Sequence, residues 1–136
     1  MSEELDKNDP LRALLVDSTE VDRSRIADVL SGRVAIDSQS GRLVLLPGYT
    51  TLDARRKILA VLLAGKAAIL LNLGDGKALT NKEVTDLTGL PPGTAAPGLK
   101  SLKELRLIDQ DAGKAYFVPN ARIIYACKIM AGEDYS

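Results

Sequence analysis

The chain has 136 residues, 46% apolar and 26% charged, enough for one domain with a real core and a small extension. It contains no His, no Trp and a single Cys. Those absences exclude a His general base, Ser-His-Asp and Cys-His pairs, HExxH sites, zinc fingers and any disulfide framework within the chain. They point to a binding protein rather than an enzyme. No catalytic residue, metal or cofactor is expected.

Eighteen basic side chains balance eighteen acidic ones, but unevenly along the chain. Residues 1–40 carry nine acids and five bases, and residues 41–136 carry thirteen bases and nine acids. Nucleic-acid affinity follows local positive potential, so the basic second part is of interest, although scatter over a solvated surface gives similar counts. The acidic start, Met1-Ser2-Glu3-Glu4-Leu5-Asp6, lacks the basic and apolar regions of a signal peptide. The most apolar stretch, 58–73, contains Gly65 and Lys66 and falls short of a bilayer span. A cytoplasmic protein without a membrane partner is therefore expected, and the lone thiol agrees.

Residues 1–9 are polar and expected to fray. Asp9 and Pro10 are suited to cap and open a short helix, which would put Leu11, Leu14 and Leu15 on one face. A second helix is expected from Ser18-Thr19-Glu20 to about Leu30, with Val21, Ile26, Val29 and Leu30 inside and Gly32 as its stop. Two β-prone runs, 33–36 and 42–46, flank the polar turn Asp37-Ser38-Gln39-Ser40-Gly41 and predict a hairpin closed by Pro47-Gly48. Residues 13–18, with Arg23 and Ile26, resemble the first strand and helix of a response-regulator receiver domain. The chain then turns to a hairpin, leaving no room for that fold's further units.

Thr50 or Thr51 is expected to cap a long helix over 52–71, broken at Gly65 if anywhere. Its apolar residues cover more than one face, so it is buried or meets a partner. Gly74-Asp75-Gly76 predicts a turn. Gly74-Asp75-Gly76-Lys77 is no phosphate loop, because Leu71 stands where that pattern needs Gly and Ala78 follows the Lys. Asp109 and Asp111 lack the further carboxylates of a calcium loop.

The sharpest signals come after residue 80. Thr80-Asn81-Lys82-Glu83 reads as a capping box opening a short helix with Val84 and Leu87 inside, stopped by Gly89. Pro91-Pro92 opens another helix with Ala95, Leu99, Leu102 and Leu105 on its inner face. Strands over 106–109 and 115–119 flank the turn 111–114. Asn120 is placed to cap a last helix to Met130. Cys127, among Ile123, Ile124 and Met130, reads as a buried thiol.

The runs Thr80–Leu90 and Leu99–Ile108, followed by this hairpin, resemble the winged helix-turn-helix superfamily over about residues 50–119. The fold class expected is α+β, mostly helical: an N-terminal helix-hairpin extension (1–49), then a winged-helix domain with a C-terminal helix (50–136). The resemblance implies double-stranded DNA binding, as a transcriptional regulator or an accessory of a DNA transaction, with helix 92–105 approaching the major groove. The residues it singles out are Lys82, Thr94, Lys100, Ser101, Lys103 and, at the wing tip, Lys114. The exposed face of that helix has no Arg, Asn or Gln for bidentate base contacts, so phosphate contacts would dominate. Because the superfamily also contains protein-interaction modules, an adaptor without DNA binding is the alternative. The resemblance further favours a homodimer, for which Ile123, Ile124, Cys127 and Met130 form an apolar stripe able to close the core, make a seam, or both.

Overall fold

A helix that is apolar on every side has to be surrounded. The computed structural model describes residues 9–14, 18–73 and 78–132. It places Ile58–Ala64, seven apolar residues at most 2% exposed, in the middle of a helix, α2 (Ala54–Leu70). In chain order α1 (Ser18–Leu30), α3 (Asn81–Thr88), α4 (Pro92–Glu104) and α5 (Ile123–Met130) pack around α2. Two small antiparallel hairpins complete an α+β, mostly helical architecture. One pairs β1 (Val34–Ile36) with β2 (Leu43–Leu45), Ala35 opposite Val44. The other pairs β3 (Asp109–Gln110) with β4 (Tyr116–Phe117), Gln110 opposite Tyr116. Tyr116 also bridges antiparallel to Leu79, just before α3, which ties the second hairpin to the helices.

Several expectations are met at their capping residues. Asp9 Oδ1 accepts the Leu11 amide, opening a short 3-10 turn (Pro10–Leu14). Asp37 accepts the Ser40 amide in the first hairpin turn. The Thr80 hydroxyl accepts the Glu83 amide while the Glu83 carboxylate accepts the Thr80 amide, and Gly89 ends α3 at φ 73°. The turn expected at 74–76 and the Leu15 side chain lie outside the described residues.

Other expectations are corrected. Leu11 and Leu14 are exposed, at 65% and 74%, and bury no face. Asp53, not Thr50 or Thr51, caps α2, its carboxylate accepting the Arg56 amide. The two threonines lie in a 3-10 turn (Pro47–Thr51), their hydroxyls donating back to the carbonyls of Pro47 and Gly48. Gly65 does not break α2, because burial of that helix outweighs the roughly 1 kcal/mol of helix propensity that Gly forfeits. The second hairpin is shorter than predicted and begins at Asp109. Asn120–Arg122 forms a 3-10 turn, so α5 starts at Ile123 without a side-chain cap.

The N-terminal elements share the core of the rest. Ile26, Leu30, Val34 and Tyr49 join one cluster with α2, α3, α4 and α5 residues, so packing crosses the boundary expected at 49/50. Burial pushes the Tyr49 phenol up to about 12, and its hydroxyl donates to the Thr88 carbonyl at 2.9 Å, pinning the 3-10 turn to α3. Gly48 lies against Gly32: a Cβ there would stand 2.5 Å from the Gly32 carbonyl oxygen.

At the end of α4, Leu107 N–H returns to the Leu102 carbonyl and Arg106 N–H to that of Lys103, the hydrogen bonds of a Schellman stop. Such a stop favours Gly, yet Arg106 sits there at φ 63°. Arg106→Gly should therefore raise stability by about 1 kcal/mol, measured by chemical denaturation. Gly48→Ala should lower it by about 1–3 kcal/mol, since two backbones rather than one flexible side chain have to part. A neutral Gly48→Ala would contradict the close approach.

Candidate nucleic-acid interface

Helix α4 turns Ala95, Leu99 and Leu102 fully inward against its neighbours and leaves Thr94, Lys100 and Lys103 in solvent. Pro97, the sixth residue of α4, lies past the first turn, so it withholds the amide that the Gly93 carbonyl would accept. With Gly93 and Gly98 also present, α4 depends on packing more than on propensity.

The lysines expected to touch phosphate fall into two sets. Lys103 Nζ donates to Gln110 Oε1 at 2.7 Å, and Gln110 Nε2 donates to the Lys114 carbonyl at 3.1 Å. Gln110 thus links α4 to the tip of the second hairpin. Lys100 lies one turn before Lys103, and its ammonium makes no hydrogen bond or ion pair among the described residues. Ser101 is half-buried beside it, and Thr94 is exposed in the first turn of α4. Lys82 stands apart on α3, where Asp86 Oδ2, 3.3 Å from its Nζ, supplies a countercharge. That pair is well exposed and worth little to stability.

Lys114 has a reason to be at the tip. Asp111 Oδ1 accepts the amides of Gly113 and Ala115, forming a tight turn with Lys114 at φ 66°. The sequence reading missed Gln110, Arg106 and Arg122. Lys103, Arg106 and Arg122 converge with Asp109 on an open recess of about 320 Å³. No spacing signal marks this group, because it joins the end of α4 to the start of α5 through tertiary packing.

The C-terminal stripe closes the core. Ile123, Cys127 and Met130 are at most 3% exposed, and α5 packs on α1 and α2 of the same chain. These three are therefore not available as a dimer seam. Ile124, at 37% exposure, remains on the surface beside Tyr125. Burial pushes the Cys127 thiol up to about 11, with Asp22 and Asp28 adding to the rise and Arg25 opposing it.

No family model matches the chain, and comparison with curated proteins and with solved structures likewise gives no match. Among the described residues no group of three or more His, Cys, Asp or Glu side chains could hold a metal ion. No described helix is long and apolar enough to cross a membrane.

The raised thiol gives a direct check on the packing of α5. A folded-state pKa near 11 keeps Cys127 protonated at pH 8, where an unfolded Cys is partly thiolate. Thiol labelling at pH 8 should be slower in the native protein than in denaturant by on the order of a hundredfold or more. Equal rates would mean that α5 is not packed as described.

Proposed function

We propose that residues 54–118 form a winged helix-turn-helix that binds double-stranded DNA, chiefly through its phosphates. The observation that carries the reading is the solvent face of α4, with Lys100 and Lys103 on it and Lys103 joined through Gln110 to Lys114 at the hairpin tip. The element order supports it too: α2, the Leu79 bridge, α3, a short turn, α4, then β3 and β4 pairing back to Leu79. In this reading α4 lies along the major groove and Lys114 reaches the backbone.

Sequence preference is modest. The α4 face offers Thr94, Lys100, Ser101 and Lys103, which position a protein on DNA more than they read bases. Glu104, Asp109 and Asp111 lie among these cations and lower the local potential. The protein acts in the cytoplasm as a regulator or an accessory of a DNA transaction. It is a binding protein and not an enzyme. If it forms a homodimer, the seam lies outside the buried α5 stripe.

A protein-interaction adaptor is the second reading. Val44, Leu45, Ile69 and Leu71 are 37–51% exposed, and open grooves of about 620 and 440 Å³ flank the first hairpin. Exposed apolar surface of this kind suits a protein partner better than DNA.

Fluorescence anisotropy with a random-sequence duplex, at low and at physiological salt, separates the two. Wild type should bind at micromolar or tighter concentration in low salt and weaken steeply as salt rises. Lys100→Glu with Lys103→Glu should cut affinity at least tenfold and flatten the salt slope by about two. Absence of binding in low salt, where attraction is strongest, would overturn the DNA reading and leave the adaptor.

A further inference from the structure

We infer that the recess between the end of α4 and the start of α5 is a binding site for a phosphate group. Lys103, Arg106 and Arg122 line it, with Asp109 as the one carboxylate and Ile108 and Ala121 among its apolar lining. Neither guanidinium makes a side-chain hydrogen bond or ion pair among the described residues, and Arg122 makes only a ring contact with Tyr125, 5.7 Å from its centroid. Asp109 Oδ1 accepts its neighbour's amide from Gln110 at 2.8 Å, so part of its acceptor capacity is engaged. Three cations against one carboxylate in a concave site focus positive potential there, and guanidinium forks match phosphate oxygens in pairs.

A second observation concerns the backbone. Arg106 is held at φ 63°, where a side chain costs free energy that Gly would not, and Arg106 lines the recess. Strain of this kind points to a use for the side chain. Cations at a helix C-terminus do offset its dipole, and that alone would explain Lys103 and Arg106. It does not explain Arg122, which comes from the opposite, positive end of another helix.

The group bound is a phosphate, whether a phosphodiester of a nucleic-acid backbone or a phosphomonoester of a small molecule. The site shares Lys103 with the DNA reading but does not rest on it, and it survives that reading's failure. The test follows backbone amide shifts of the isotopically labelled full chain during titration with inorganic phosphate at constant ionic strength, against chloride. Saturable shifts confined to Arg106, Asp109, Ala121 and Arg122 are expected. Arg106→Gly, which keeps the stop of α4 and relieves its backbone, should weaken phosphate binding at least tenfold while the melting temperature rises. Arg122→Gln should weaken it similarly.

Two further titrations identify the source. Displacement of phosphate by a duplex, with duplex affinity lowered in Arg122→Gln, assigns the site to a nucleic-acid backbone. Binding of glycerol phosphate without displacement by duplex assigns it to a small phosphomonoester. Shifts that do not saturate, that spread over the surface, or that persist unchanged in both variants would overturn the proposal.

Discussion

Everything in this protein is arranged around the burial of α2. Seven successive residues with almost no exposure cannot be covered by one partner element, since a helix turns a new face every residue. Cover has to come from all sides, and α1, α3, α4, α5 and both hairpins supply it. Each large side chain removed from water contributes about 1.5–3 kcal/mol, which gives α2 the largest single share of the apolar stabilisation. The elements around α2 can then be individually weak. Helix α4 carries two glycines and an internal proline, and β3 and β4 have two residues each.

The same constraint explains why the N-terminal elements are not a separate body. Helix α5 needs α1 as well as α2 to bury Ile123, Cys127 and Met130. Arg33 strengthens this closure, donating to the Val29 carbonyl at 3.0 Å and to that of Met130 at 3.3 Å. Arg56 does likewise from α2, its Nε donating to the Ile129 carbonyl at 2.7 Å. Two arginines from distant parts of the chain thus donate to carbonyls at the end of α5, where the helix's own pattern of donors runs out; the Ile129 carbonyl also accepts the Gly132 amide at 3.0 Å. Loss of α1 would expose one side of α5, and loss of the Arg33 guanidinium would take away the side-chain donor of the Met130 carbonyl.

Local chemistry was legible in the sequence; tertiary choices were not. The capping box at Thr80 and Glu83, the stop at Gly89 and the turn of the first hairpin all rest on contacts within a few residues. The cap of α2, expected at Thr50 or Thr51, did not resolve that way and falls to Asp53. All three are competent caps, and the 3-10 turn that occupies both threonine hydroxyls depends on Gly48 docking against Gly32, sixteen positions earlier. The α5 stripe was read correctly as apolar, but spacing alone does not say whether such a stripe faces its own core or another chain. Likewise, Lys100 and Lys103 could be placed on an outer face by helical periodicity, whereas Gln110 and Arg122 reach their sites only through packing.

The positive-φ residues connect that packing to the charged surface. Among the described residues three that are not glycine adopt this conformation, and Asn72 is of a type that tolerates it. The other two are Arg106, just before the second hairpin, and Lys114, at its tip. Glycine would relax both turns and remove both charges. The chain instead carries long cations at the two points where its backbone is least suited to them, at a cost of about 1–2 kcal/mol each. Side-chain pairing gives no return on that cost: among the described residues neither the Arg106 guanidinium nor the Lys114 ammonium makes a hydrogen bond or ion pair, and only the dipole at the end of α4 favours Arg106. Both residues are exposed, and both belong to the segment that joins α4 to α5. The surface around β3 and β4 thus sets Lys103, Arg106 and Lys114 beside Glu104, Asp109 and Asp111, with Gln110 joining Lys103 to the hairpin tip.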